Sequence, residues 1–213
     1  MPVLVEAAVD TFSRALLAEA DGVQRIELCG PLHDGGTTPS AGLIARCADR
    51  LLVSVFVLVR PRHGDFVYTP NELEIMKKDI AVARELGADG VVVGALTAAG
   101  DIDVAMLADL IGVAHPMHVG FHRAFDSLRD ADESLELLVS MQVTYVLTSG
   151  GAPTARAGAE RLRHLVERAH GRIGITAGGS ITAANVRALV QETGVTTVHG
   201  RAFEGIVKSV EDL

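Results

Sequence analysis

The segment GFHRAFD at 120–126 gathers three side chains that could work together. An imidazole titrates near neutrality, at about 6.5, so His122 could take or give a proton there. Arg123 could clamp an anion, and Asp126, four residues beyond His122, could orient the ring. The structural alternative is a histidine bonded to a backbone carbonyl and an Arg–Asp pair that staples a loop. Two carboxylates, Glu6 and Glu27, sit among apolar neighbours. A buried carboxylate must be paired or neutralised. They therefore read as a general acid and base, as metal ligands, or as one half of an ion pair with Arg60.

More groups of this kind follow other apolar runs. Arg60 and Arg62 bracket Pro61, with His63, Asp65 and Tyr68 in the same loop. His199 closes the last run. Thr148 and Ser149 open the turn LTSGG at 147–151, and Gly178 and Gly179 form the turn in TAGGSI at 176–181. Glycine lets backbone N–H groups approach an anion, and a following helix favours negative charge. Glu6, Glu27, Arg60, His122, Asp126 and His199 are thus the expected catalytic set. Arg62, Arg123, Thr148, Ser149, Gly178 and Gly179 are the expected anion contacts. Cys29 shares a strand face with Glu27. Cys47 falls in an apolar-periodic stretch and reads as a small buried hydrophobe.

Positioning these groups requires a repeating scaffold. Short apolar runs at 3–7, 25–29, 52–60, 90–94, 118–122, 145–148, 172–177 and 196–199 alternate with helical segments. Eight βα units in 213 residues, without a change of composition, predict one α/β domain over 1–213, a (β/α)8 barrel. In such a barrel the strands' C-terminal ends converge on one mouth. The helix after run three is well marked: Thr69 caps it, Pro70 opens it, Glu72 completes a capping box and Gly87 ends it. A second helix is expected over 181–194, capped by Thr182. The loops at 30–40 and 61–69 are long for βα turns, and long loops often carry function.

Composition narrows the partners. The net charge is −8, aromatics make up 4% and tryptophan is absent. Nucleic-acid binding wants a basic face and stacking rings, so it is not expected. No apolar stretch is long enough to span a bilayer, and the first residues do not resemble a secretory signal. Two cysteines are too few for a disulfide framework, and reduced thiols in the cytoplasm are expected.

RIELC at 25–29, DGGTTPS at 34–40, VRPRHGDFVY at 59–68, GFHRAFD and LTSGG, in this order, resemble the CutC copper-homeostasis family. The resemblance runs from Glu6 to His199. It implies a (β/α)8 fold, a cytoplasmic location, a homodimer and a role in copper tolerance or trafficking, with cuprous sites that involve cysteine. Cys29 matches the family's position in the second strand. Ala7 and Ala8 stand where many relatives carry cysteine, and Gly200 where some carry cysteine or serine. Gly120 replaces a usual threonine, and His63 a usual glycine. The residues themselves describe a hard, charged site. Arginines at strand ends attract carboxylates and phosphates and repel cations. Two functions follow: copper homeostasis with a charged, anion-binding mouth, or a lyase, isomerase or epimerase acting on a small phosphorylated or carboxylated compound. A binding protein without turnover is a third.

Overall fold

The computed structural model describes residues 2–213. Eight parallel strands close into a barrel in sequence order. They are β1 (Leu4–Val9), β2 (Arg25–Leu28), β3 (Ser54–Leu58), β4 (Gly90–Val93), β5 (His118–Phe121), β6 (Tyr145–Thr148), β7 (Gly174–Gly178) and β8 (Thr197–Gly200). The helices between and after them are α1 (Phe12–Ala20), α2 (Ala41–Arg50), α3 (Pro70–Glu85), α4 (Val104–Ala114), α5 (Ala131–Ser140), α6 (Ala159–Ala169), α7 (Val186–Thr193) and α8 (Ile206–Val210). Each predicted apolar run overlaps a strand, and β1, β7 and β8 extend beyond their runs at the C-terminal end. The third is shorter than its run of 52–60, because Leu52 is exposed and its N–H bonds Glu19 Oε1 at 2.6 Å.

Alternation along the strands divides the core into two layers. Ile26 and Leu28 of β2, Val55 and Val57 of β3, and Val91 and Val93 of β4 join the large cluster beneath the helices. Their neighbours Cys29, Phe56, Leu58 and Val92 join Tyr145 and Leu147 in a separate cluster inside the barrel. Arg25 and Glu27 share the period-2 face of Cys29, so β2 sends two charged side chains inward. Ring size then decides what the next strands carry. A Cβ at Gly90 would lie 2.4 Å from the Phe56 ring, and one at Gly120 2.5 Å from the Tyr145 ring. A threonine at 120 would collide with Tyr145 as it stands.

The expected capping box forms at α3: Glu72 N–H donates to Thr69 Oγ1, and Thr69 N–H to Glu72 Oε2. Helix α7 starts later than Thr182. That residue's carbonyl accepts the N–H groups of Asn185 and Val186, so a turn precedes the helix and Asn185 stands at its N-cap. Gly194 ends α7 in the left-handed region, at φ 73°. No helix among the described residues is long and apolar enough to cross a membrane.

Candidate functional site

Strand register assembles the floor of the site. Glu6 pairs with His199 on β8 and with Arg25 on β2. Glu6 is fully buried and accepts hydrogen bonds from Arg25 Nε, from Tyr145 OH at 3.2 Å and from His199 Nδ1 at 2.7 Å. The Arg25 guanidinium lies on two rings, 4.2 Å from the Tyr145 centroid and 5.0 Å from that of Phe56. The ion pair expected between a buried glutamate and Arg60 is therefore made by Arg25. Sequence reasoning left Arg25 and Tyr145 out of the site, although Arg25's spacing of two from Glu27 places both on one strand face.

Glu27 differs from Glu6. Its Oε2 lies 3.6 Å from His199 Nδ1 and has no hydrogen-bond partner among the described residues, and its Oε1 lies 3.6 Å from the Cys29 thiol. Burial raises the Glu6 carboxyl, but the charges of Arg25 and His199 and their hydrogen bonds outweigh it and hold the group below its ordinary range. Burial raises Glu27, and the neighbouring charge of Glu6 adds to this against the pull of His199. Burial lowers His199, but the Glu6 bond and the Glu27 charge outweigh it, so the imidazolium is favoured. Two carboxyls pushed in opposite directions across one imidazole are a common arrangement for moving protons.

Above this floor lies a cavity of about 540 Å³. Glu27, His199, Arg60, His122, Arg123 and Arg201 supply its ionisable walls, so three arginines face it against one carboxylate. Glu6 lies behind His199 and does not line it. Arg60 is 9% exposed, and its guanidinium donates to the carbonyls of Gly35, Gly36 and Gly64. No carboxylate among the described residues pairs with it, and Arg60 Nε is buried without a hydrogen bond. His122 accepts the Ala124 N–H on Nδ1 at 3.1 Å, while its Nε2 is buried and unpartnered. Burial and the Arg60 charge lower His122 to about 3, so the ring is neutral at physiological pH.

Several expected contacts have other employment. Asp126 does not orient His122. It accepts from Thr148 Oγ1 at 2.5 Å, from the N–H groups of Ser149 and Gly151 at 3.0 and 3.1 Å, and from Arg123 Nε at 2.7 Å. The turn after β6 thus already holds an anion, the chain's own carboxylate. Thr148 and Ser149 serve Asp126 instead of lining the cavity. Arg123 also donates to Ser149 Oγ at 2.8 Å and keeps part of its surface on the cavity. Arg62 is committed to its own loop through Glu72 at 2.5 Å, Asp65 at 3.0 Å and the carbonyl of Val67 at 2.8 Å. Gly178 is a packing glycine, since a Cβ there would lie 2.6 Å from Leu147 Cδ1, whereas Gly179 borders the cavity.

Cuprous copper is held by two or three soft donors. Cys29 is the one sulfur among the cavity-lining residues, and burial together with Glu27 raises its thiol well above the usual range. Cys47 belongs to the outer core layer. These residues do not fit a sulfur-bound cuprous ion. Glu6, Glu27 and His199 offer ligand atoms within 4.8 Å of one another, a hard set that suits a divalent cation better. Arg25 and Tyr145 already satisfy Glu6 without one.

The fold and site define a (β/α)8 barrel with an arginine-rich mouth above a buried carboxylate–imidazole floor. The chain belongs to the CutC family, whose model matches residues 3–204. It is 43% identical over 196 residues to the copper homeostasis protein cutC homolog of Homo sapiens, covering 92% of this chain and 72% of that protein. It is 42% identical over 209 residues to the family protein CutC of Bacteroides fragilis, covering 98% and 83%. A crystal structure of a CutC copper homeostasis protein from Streptococcus agalactiae superposes with a TM-score of 0.90 at 36% identity, covering 94% and 99%.

Proposed function

We propose that this member of the copper-homeostasis family is an acid–base enzyme acting on a small carbonyl compound that carries a phosphate or carboxylate. The observation that carries the reading is Glu27 Oε2: buried, without a hydrogen bond, and the one carboxylate on the wall of a cavity whose other charged groups are arginines and histidines. An unpaired buried acceptor is costly and needs an explanation. A base waiting for a substrate proton supplies one. Glu6, His199, Arg25 and Tyr145 position and polarise Glu27, and Arg60, Arg123 and Arg201 hold the anionic group. Lyase, isomerase and epimerase chemistry all begin with this proton transfer.

The test is hydrogen exchange in deuterated water with a panel of small phosphorylated and carboxylated aldehydes and ketones, followed by proton NMR. The reading expects enzyme-dependent loss of one α-hydrogen signal with the wild type and none with Glu27→Gln. Exchange that persists undiminished in Glu27→Gln would remove Glu27 from the role. Any influence on copper is indirect in this account. Anaerobic Cu(I) titration should find no tight site, and Cys29→Ser should leave the titration unchanged. A tight site lost on that substitution would restore direct ligation.

A further inference from the structure

Two hydrogen-bond donors in the mouth are left over by the fold, and they belong to neighbouring side chains. The Ala124 N–H donates to His122 Nδ1, so that nitrogen carries no proton. The neutral ring must then bear its hydrogen on Nε2. That N–H is buried and has no acceptor among the described residues, and the same is true of Arg60 Nε–H. Both side chains pack on one ring: His122 lies 4.8 Å from the Phe66 centroid, and the Arg60 guanidinium 5.1 Å. The imidazole is seated with little freedom. A Cβ on Gly94, the residue after β4, would lie 2.4 Å from its Cε1, so only glycine there admits it. Two fixed donors in a buried wall, with no carboxylate bonded to either and only the Tyr68 hydroxyl beside the Arg60 guanidinium, match what a developing oxyanion requires.

We infer that His122 and Arg60 form an oxyanion site in which a neutral imidazole, acting as donor and not as base, stabilises the enolate of a carbonyl substrate. The inference rests on the proposed acid–base reading and assigns the other half of the same step. Glu27 takes the proton from the carbon beside the carbonyl. The C–H electron pair becomes the new C=C bond, and the carbonyl π pair moves onto oxygen. That oxygen then accepts from His122 Nε2–H and Arg60 Nε–H. Return of the proton to the other face of that carbon, with the electron pair on oxygen re-forming the carbonyl, completes an epimerisation without any oxidant or reductant. An imidazole that stays neutral donates without losing its own proton, and the Arg60 charge keeps it so.

The probe is oxalate, a planar dianion that imitates an enolised α-keto acid, with inorganic phosphate as the comparison. Nitrogen NMR of the wild type should find His122 as the Nε2–H tautomer, and oxalate should move that proton downfield. His122→Phe should weaken oxalate at least tenfold and leave phosphate within about twofold. An Nδ1–H tautomer or a protonated His122 at pH 7 overturns the inference in the unmodified protein, whatever the variant's stability. Oxalate binding that neither shifts His122 nor depends on it overturns the inference and leaves the anionic acid–base site standing. If neither anion binds, both readings fall.

Discussion

The floor and the rim of this barrel each hold an arginine and a histidine, partly buried on the floor and buried on the rim, and the two pairs are opposite in character. On the floor, Arg25 and His199 share the Glu6 carboxylate, which favours the charged imidazole. On the rim, Arg60 finds only carbonyl oxygens, and its charge helps keep His122 neutral. On the floor Glu6 is fully partnered, while Arg25 Nη2 and Glu27 Oε2 lack hydrogen bonds, so the ionic groups there answer to folding and to the poise of Glu27. On the rim Asp126 holds Arg123 but no carboxylate reaches Arg60, so the donors of Arg60 and His122 answer to whatever enters the cavity. A buried charge is thus read by its partner, and burial alone does not distinguish a structural arginine from a ligand-binding one.

The largest way to break this comparison is Arg25→Met. It leaves Glu6 buried with only His199 and Tyr145, so stability should fall by about 3–5 kcal/mol in chemical denaturation. A loss below about 1 kcal/mol would mean that the floor is not held by this pair.

The two histidines give opposed pH dependences. His122 is lowered to about 3 in the folded chain, against about 6.5 unfolded. Between those values the unfolded chain binds the proton and the folded chain does not. Stability is therefore lost as the pH falls, by up to about 1.4 kcal/mol per pH unit for this group. His199 is raised, so its contribution is present below about 6.5 and is lost as the pH rises through its folded value. Denaturation of the wild type and His122→Phe across pH 4–7 should show a shallower acid slope in the variant. Equal slopes would contradict a neutral buried His122.

Arg62→Met should have the smallest effect. Its pairs with Asp65 and Glu72 lie in a partly exposed loop where solvent screens them, so the loss of stability should be slight. Phosphate affinity should not change, because Arg62 does not line the cavity. A tenfold weakening would return it to the site.

Much of this architecture was legible in the chain. Short apolar runs located the strands, and Thr69, Pro70 and Glu72 located the start of α3. Placing Glu27, Arg60, His122 and His199 on one mouth needed only the rule that strand ends converge. What could not be read was partner choice. Asp126 fills the turn of Ser149, 23 residues away, and only the fold brings them together. Likewise, whether Glu6 would meet Arg25 or Arg60 depends on the register of β1 against β2. Arg62 was expected to contact an anion, but its guanidinium is taken by Glu72 and Asp65 of its own loop and the start of α3.

The most direct test of the central claim is to titrate phosphate calorimetrically into wild type and Arg60→Met, with a thermal melt of each. The account predicts a variant that keeps its fold and binds phosphate more weakly by about 1.5–3 kcal/mol, the scale of hydrogen bonds to a charged group. A large loss of stability, together with no measurable phosphate binding by the wild type, would contradict it and make Arg60 a structural residue.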